Sequence, residues 1–183
     1  MSLNLLTQVD AGEMDMAVII RPPFSLPAEM QWRPLVAEPY VLLVPASRRR
    51  VPWRELIEAQ PFIRYDRRSF GDRQVDAFLR KQRIDLREAI EVDEPHGIAQ
   101  MVARRLGVGL SPVSDGGGAW PPGVVALDLD DDTFHREIGL VERSRRGRQD
   151  AATQLADCIV DAAGRLHRGT RTRPRHTKRK NTA

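Results

Sequence analysis

Residues 98–112 place the strongest constraint on how this chain can fold. Their apolar residues first recur at helical spacing: Ile98, Met101, Val102 and Leu106. A short apolar run, Val108-Gly109-Leu110, follows and is closed by Pro112. The pattern predicts the end of an amphipathic helix, a turn and a short buried strand.

Strand and helix patterns alternate along the rest of the chain. Strands are predicted over residues 14–20, 40–44, 62–65, 89–93, 124–129 and 137–141. Helices are predicted over residues 3–11, after Pro52, over 72–82, from Pro95 and over 150–166. Alternating elements of these lengths are typical of an α/β fold, and we expect a mainly parallel sheet.

Charge separates the body of the chain from its C-terminal end. The chain has 29 basic and 25 acidic residues, and residues 165–183 hold eight of the basic ones and no acid. The remainder has 21 basic against 25 acidic residues, a net charge of −4. We expect residues 167–183 to form a basic, disordered tail. Such a tail is either simply solvated or makes weak, nonspecific contact with nucleic-acid phosphates.

Cysteine usage and hydropathy point to the cytoplasm. The single Cys158 cannot form an internal disulfide, and its apolar neighbours predict a small buried side chain. No apolar run approaches the roughly 20 residues of a membrane-spanning helix, and the N-terminal residues lack the pattern of an export signal. We expect a soluble cytoplasmic protein with no membrane partner.

The sequence lacks the common motifs of catalysis and metal binding. It has no P-loop, no GxSxG nucleophile elbow, no HExxH and no CxxC pattern. Its histidines are scattered at positions 96, 135, 167 and 176, and the acidic run at 128–132 lacks the glycine and distal glutamate of a calcium loop. We therefore predict no metal site, no cofactor and no enzymatic activity.

Four separate segments resemble the effector-binding domain of LysR-type transcriptional regulators. Residues 12–19 (GEMDMAVI) are similar to its G-x-l-D-l-a-i strand, and residues 35–45 to its hinge strand. Glu55-Leu56 followed by Pro61-Phe62-Ile63 resembles its d-L-x-x-x-p-f-i segment. Residues 101–112 resemble its lV-a-x-G-x-G-i-a-l-x-P signature. The segments follow the order of the family over residues 1–166.

The resemblance implies a two-lobed α/β fold of the type 2 periplasmic-binding-protein kind, truncated at its N-terminus. Residues 1–44 and 114–166 would form the first lobe and residues 45–113 the second, with crossovers near 44–47 and 113–118. The chain lacks the winged helix-turn-helix of the family and the first strand, helix and strand of its effector domain. The apolar surface left by that absence predicts a homodimer or a higher oligomer.

One position departs from the family signature. Arg105 stands where the family usually has the glycine that ends the helix. A left-handed backbone at a residue other than glycine costs about 1 kcal/mol. We expect Arg105 to adopt that conformation at this cost.

The turn at residues 65–70 is the candidate effector site. Ser69 can cap the helix that follows, and the exposed N–H groups of a helix start suit an anion. Arg67 could bind a carboxylate through two parallel hydrogen bonds. The alternative is an ordinary helix cap with solvated arginines. The resemblance places further residues at the cleft: Ser2, Ile20, Arg21, Tyr65, Phe70, Pro95 and His96.

The leading hypothesis is an effector-sensing and oligomerisation domain of a LysR-type regulator. It would bind a small, anionic metabolite between its lobes and so bias a two-state arrangement. The alternatives are a solute-binding protein or an enzyme on the same fold, or a degenerate regulator fragment. Because the helix-turn-helix is lacking, we expect no sequence-specific DNA binding by this chain alone.

Overall fold

The computed structural model describes residues 2–114, 120–144 and 151–170. The helices there are α1 (Ser2–Asp10), α2 (Trp53–Ala59), α3 (Phe70–Gln82), α4 (Pro95–Ala103) and α5 (Ala151–Thr170). The strands are β1 (Met16–Ile20), β2 (Met30–Pro45), β3 (Phe62–Tyr65), β4 (Glu88–Val92), β5 (Gly109–Pro112), β6 (Val124–Leu127) and β7 (His135–Arg143). The predicted α/β class is confirmed.

The 16-residue strand β2 pairs with two different sets of strands along its length. From Met30 to Pro39 it pairs with β7, and β7 pairs in turn with β1. From Tyr40 to Pro45 it pairs with β5 along one edge and with β6 along the other. One continuous strand thus joins the two lobes, and its partners change between Pro39 and Tyr40.

The sheets are mostly antiparallel, so the prediction of a mainly parallel sheet is wrong. β5, β6 and β7 all run opposite to β2, and β1 runs opposite to β7. Parallel pairing joins β3 to β4, which are linked by the crossover helix α3, and a single parallel bridge joins Phe62 to Val108. The physical reason is that β2 stands at the centre and its neighbours return along it.

The predicted lobe limits differ from the places where strand pairing changes. Pairing changes at Pro39–Tyr40, whereas the first crossover was expected near residues 44–47. Strand β6, expected in the first lobe, pairs with residues 42–45 of β2. Residues 115–118 of the second expected crossover and residues 171–183 of the expected tail lie outside the described residues. The lobe limits therefore stay a prediction.

The start of β2 was missed by the sequence pattern. The apolar run predicted a strand only over residues 40–44, and the family resemblance extended it back to residue 35. Pro34 and Pro39 lack the N–H group that a strand interior normally donates, so they argue against a strand. In the structure the register shifts between Pro34 and Val36, and this irregularity lets β2 continue through the prolines.

Helices cover both faces of the second-lobe sheet. Successive residues of a strand point to opposite faces. Leu42 and Val44 pack in the cluster formed by α2 and α3. Val41 and Leu43 pack instead with α4. Because this part of β2 is buried on both faces, its sequence is continuously apolar rather than alternating.

In the first lobe, α1 covers one face of the sheet. Leu6 and Val9 of α1 pack against Ala17 and Ile19 of β1. Phe70, the first residue of α3, joins the same cluster and is 2% exposed. The start of a helix that otherwise packs in the second lobe is thereby buried in the core of the first.

The glycines of the 101–112 signature allow close approach between backbones. A Cβ added to Gly109 would lie 2.7 Å from the Ile63 carbonyl oxygen and 2.5 Å from Cγ2 of Ile98. A Cβ on Gly107 would collide with the Pro61 carbonyl oxygen. Arg105 has a φ of +59°, so the predicted left-handed residue is confirmed.

Cys158 is exposed on α5, so the prediction of a buried side chain is wrong. Ala156 marks the buried face of α5. A residue two positions further along an α-helix points about 200° away, which turns Cys158 to the solvent side. Its apolar sequence neighbours did not reveal this because they lie on other sides of the helix.

We predict that Gly109→Ala lowers the free energy of unfolding by about 1–3 kcal/mol, because the added methyl group overpacks the contact between β5 and β3. The matched control is Gly97→Ala in α4, where the Cβ would lie 3.4 Å from Val92. That change should be neutral or stabilise by up to about 1 kcal/mol through helix propensity. Urea denaturation measures both, and equal effects of the two substitutions would refute the close-approach explanation.

Candidate functional site

A cavity lies where the two lobes meet at β2. It encloses about 390 Å³ of space including its mouth. Ile20 at the end of β1 and Arg136 at the start of β7 line it from the first lobe, and Tyr65 and Asp72 line it from the second. Tyr40, at the point where β2 changes partners, also lines it. Strands β1, β2, β3 and β7 and helix α3 thus each contribute a side chain to the cavity wall. We call this region, where the two lobes meet at β2, the waist.

The hydroxyl of Tyr40 connects the waist to the start of α3. It donates a hydrogen bond to the carbonyl oxygen of Gly71 at 3.3 Å. A Cβ on Gly71 would lie 3.2 Å from this hydroxyl, so the glycine lets α3 approach β2 closely. Burial raises the pKa of Tyr40. The nearby Arg136 cation lowers this pKa by a smaller amount, and the Asp72 carboxylate raises it slightly further. Tyr40 therefore remains a neutral donor.

Arg136 supplies a cation to the first-lobe wall of the cavity. Its Nε donates to Oε2 of Glu38 at 2.7 Å, and Nη2 also contacts that oxygen. The two residues face each other across β2 and β7, and both are largely buried. Its Nη1 has no hydrogen bond within the described residues. The guanidinium is thus held in place by Glu38 while part of its donor capacity is unused.

A buried ion cluster stands behind the second-lobe wall. Arg64, 3% exposed, donates from Nε and Nη2 to Oδ2 of Asp72 at 3.1 and 2.9 Å. Its Nη1 donates to Glu88 at 2.6 Å, and Nη2 also contacts Asp76. One cation therefore serves three carboxylates. Burial raises the pKa of Asp72, and the bonds from Arg64 oppose that shift.

Several residues predicted from sequence come together at or near the cavity. Ile20 and Tyr65 line it. Ser69 caps α3 as predicted, since its Oγ accepts from the Asp72 N–H at 3.0 Å. The Ser2 hydroxyl accepts from the Ile20 N–H at 3.3 Å, and so supports a lining residue without lining the cavity itself.

Phe70 has a structural position next to this site. Its ring packs edge-on against Phe24 with centroids 5.8 Å apart, inside the first-lobe core. It follows the cap Ser69 and precedes the lining residues Gly71 and Asp72. Phe70 therefore anchors the start of α3 to the first lobe rather than contacting the cavity.

Arg67, Arg21 and His96 do not line the cavity, contrary to expectation. Arg67 points to β4, where it pairs with Glu88 and Glu91. Arg21 pairs with Glu137 at 2.6 Å on the surface. The exposed His96 ring contacts Gln100 at 3.0 Å, and Pro95 forms the first position of α4. The carboxylates of β4 and β7 offered these arginines partners that the sequence pattern did not reveal.

Sequence reasoning missed the polar residues that the structure brings to the cavity. In the sequence, Arg136 lies in a polar stretch before an apolar strand. Asp72 has the pattern of an ordinary acidic residue in the first turn of a helix. Tyr40 is one member of an apolar run. Their common position follows from strand register and from the approach of α3, and neither is visible in a single sequence.

The cavity is nearly closed in this conformation. Between the lining side chains there is room for little more than one ordered water molecule. A metabolite of ordinary size therefore requires the lobes to separate before it can enter. The anchoring of Phe70 and the Tyr40–Gly71 hydrogen bond are contacts that such a movement would strain or break.

The described residues contain no cluster of three or more His, Cys, Asp and Glu side chains arranged to hold a metal ion. Among the same residues, every helix is too short or too polar to cross a membrane.

Comparison with known families decides the assignment. The family described as LysR substrate binding domain matches residues 1–164. The chain belongs to this family. Its fold is therefore the two-lobed, periplasmic-binding-protein-like fold that the four sequence segments implied.

Solved structures of LysR-type proteins share this fold at low sequence identity. The Corynebacterium glutamicum OxyR C206 mutant is 21% identical with a TM-score of 0.71, over 93% of this chain and 55% of that one. The CcmR regulatory domain of Synechocystis PCC6803 with 2-PG is 17% identical with a TM-score of 0.69, over 88% and 79%. The QuiR effector-binding domain with shikimate is 14% identical with a TM-score of 0.69, over 92% and 78%.

This LysR substrate-binding domain spans about half the length of the first of these proteins. A search of curated protein sequences gives no match. At these identities the structural neighbours establish the fold, and the chemistry of the site has to be argued from the residues of this chain.

We predict that Arg64→Met lowers the free energy of unfolding by about 3–5 kcal/mol, because it leaves the buried Asp72 carboxylate without its cation. Arg67→Met is the matched control: it also removes a partner of Glu88, but the Arg67 side chain is 53% exposed, so we expect a loss of at most about 1 kcal/mol. Chemical denaturation of both variants tests this. Similar small losses would show that the Arg64 cluster is not a structural unit.

Proposed function

We propose that this chain is the effector-sensing part of a transcriptional regulator and binds a small metabolite with an anionic group in the cavity between its lobes. The observation that carries the proposal is Arg136, a largely buried guanidinium on the cavity wall with an unused donor nitrogen. A guanidinium is suited to planar anions such as carboxylates and phosphates. Two of the structural neighbours are complexes with 2-PG and with shikimate, which supports a metabolite of this size.

The mechanism follows from the closed state of the cavity. A ligand that enters only when the lobes separate binds one arrangement better than the other, and it shifts their populations by that difference in affinity. Tyr40 and Arg136 are attached to strands of the waist, while Asp72 moves with α3. Ligand contacts to both walls would therefore report occupancy as a change in lobe orientation. We propose binding alone, with no catalysis.

We further propose a homodimer in the cytoplasm. Within the described residues, β1 pairs only with β7, and Val18 at its middle is 47% exposed. Leu3 of α1 and Leu155 of α5 are also half exposed. Burial of this apolar surface would favour self-association. Light scattering should give about twice 20.7 kDa, and a monomer mass would exclude the dimer.

The basic end of the chain would add nonspecific nucleic-acid contact that weakens with salt.

We predict that Arg136→Gln weakens binding of 2-phosphoglycolate or shikimate, whichever of the two binds the wild type, by at least tenfold. A charge-assisted hydrogen bond contributes about 1.5–3 kcal/mol, and glutamine can still donate to Glu38 but lacks the charge. Arg67→Gln is the matched control and should change the affinity less than twofold, because Arg67 lies off the cavity. Isothermal calorimetry measures both.

The same experiment separates two possible sites. A loss with Arg67→Gln and none with Arg136→Gln would move the anion site to the turn at residues 65–70. If neither compound binds the wild type at millimolar concentration, the same measurement is made with a wider panel of carboxylates. The proposed site is wrong if none of them binds.

A further inference from the structure

Asp72 holds a buried oxygen that has no hydrogen-bond donor. The side chain is 1% exposed, and its Oδ2 accepts both bonds from Arg64. The other oxygen, Oδ1, is buried and has no partner within the described residues. Leaving a buried acceptor unpaired is unfavourable, and more so when the group is charged. The fold carries this cost at a residue that lines the cavity.

The cluster around Asp72 has more negative than positive charge. Arg64 is shared among Asp72, Asp76 and Glu88. Arg67 is a second cation that pairs with Glu88 and Glu91, and its charge opposes the rise in the pKa of Asp72 from a greater distance. Asp76 acts on Asp72 as a like charge and raises its pKa further, beyond the effect of burial. The Asp72 carboxylate therefore retains an uncompensated demand for a donor.

Arg136 and Asp72 belong to the same site. Both line the cavity, one from each lobe, and the charges of both act on the Tyr40 hydroxyl that lies at the waist. The contacts of the Arg136 guanidinium use Nε and Nη2, both to Glu38, which leaves Nη1 for a ligand. Asp72 Oδ1 is a buried acceptor without a donor within the described residues. The remaining lining is largely apolar and includes Phe62, Ile98 and Leu110. The cavity is thus largely apolar, with a cationic donor on the first-lobe wall, a carboxylate acceptor on the second-lobe wall, and the phenol groups of Tyr40 and Tyr65 between them.

We infer that the effector is a small carboxylic acid that also carries a hydroxyl or ammonium group, with the carboxylate on Arg136 and the donor group on Asp72. This inference rests on the proposed function, because it names the chemistry of the ligand for the same cavity. A ligand with only an anionic group would satisfy Arg136 but would leave the Asp72 oxygen unpaired. A hydroxy acid or an amino acid satisfies both walls and links them across the cleft.

The test uses a set of probes that share one apolar body. 3-Phenylpropionate is the parent, and its α- and β-hydroxy and α- and β-amino derivatives add a donor at two distances from the carboxylate. Calorimetry against the wild type should give at least one derivative that binds at least tenfold more tightly than the parent, as expected for a hydrogen bond to a carboxylate. The hydroxyl and ammonium series distinguish a neutral from a cationic donor.

Asp72→Asn tests the role of the residue itself. With its amide oxygen turned to Arg64, the asparagine would present its NH₂ group where Oδ1 stood, replacing an acceptor by a donor. The preference for the donor-bearing derivative should fall by at least tenfold, while the parent binds as well as before. Asp76→Asn is the matched control, since Asp76 contacts the same Arg64 but does not line the cavity. It should keep the preference.

Each outcome bears on one of the two claims. If the parent and all derivatives bind the wild type equally, and Arg136→Gln weakens them all, the cavity binds carboxylates but the inference about Asp72 is overturned. If no probe binds the wild type, the proposed cavity fails together with the inference. The wild-type comparison holds even if Asp72→Asn does not fold, because it needs no variant.

Discussion

Strand β2 pairs with two different sets of strands, and the arrangement of the whole domain depends on this sharing. Its first ten residues pair with β7 and its last six with β5 and β6, so its middle is the only place where both sets can act on one side chain. Tyr40 occupies that position. Glu38, two residues earlier on the same face, orients Arg136 from β7. A waist made of one continuous strand lets the lobes change their angle while the residues of the site keep their register.

The second requirement is that α3 starts at the waist. Ser69 caps the helix, Phe70 is buried in the first lobe, and Gly71 has no side chain to keep the backbone away from Tyr40. These three consecutive residues place Asp72 on the cavity wall. Arg64 then compensates Asp72 from behind, in a cluster whose burial would be unfavourable without these bonds. The polar chemistry of the cleft is therefore built into the packing between the lobes.

The sequence predicted the elements better than their assembly. Residues 62–65 were predicted as the strand that is found, and Ser69 as the cap of α3, because both depend on local patterns. Arg105 was also placed correctly in the left-handed region from the position of a family glycine. The antiparallel order and the length of β2 could not be read, since they depend on which distant strands return beside it and on prolines accommodated by an irregular register.

The polar chemistry of the cavity was not visible in the sequence. The turn at residues 65–70 does adjoin the cavity, yet Arg67 pairs with carboxylates of β4 that lie some twenty residues away in sequence. Arg136 reaches the cavity only because β7 pairs with β2 in a register that places it opposite Glu38. Long-range ion pairs decide which arginine remains available to a ligand, and a single sequence contains no direct signal for them.

In the proposed mechanism, ligand binding in the cavity is coupled to the orientation of the lobes. Cys158 is the only cysteine of the chain and is exposed on α5, which packs against the first-lobe part of β2. A second label introduced by Glu58→Cys on the exposed side of α2 would report on the other lobe. Pulsed electron spin resonance, with labelled chains diluted into unlabelled ones, measures the distance between the two labels. We expect a shifted distance distribution at a saturating concentration of a carboxylate that calorimetry has shown to bind. We expect no shift when the labelled protein also carries the substitution Arg136→Gln. An unchanged distribution with the ligand bound would contradict this coupling.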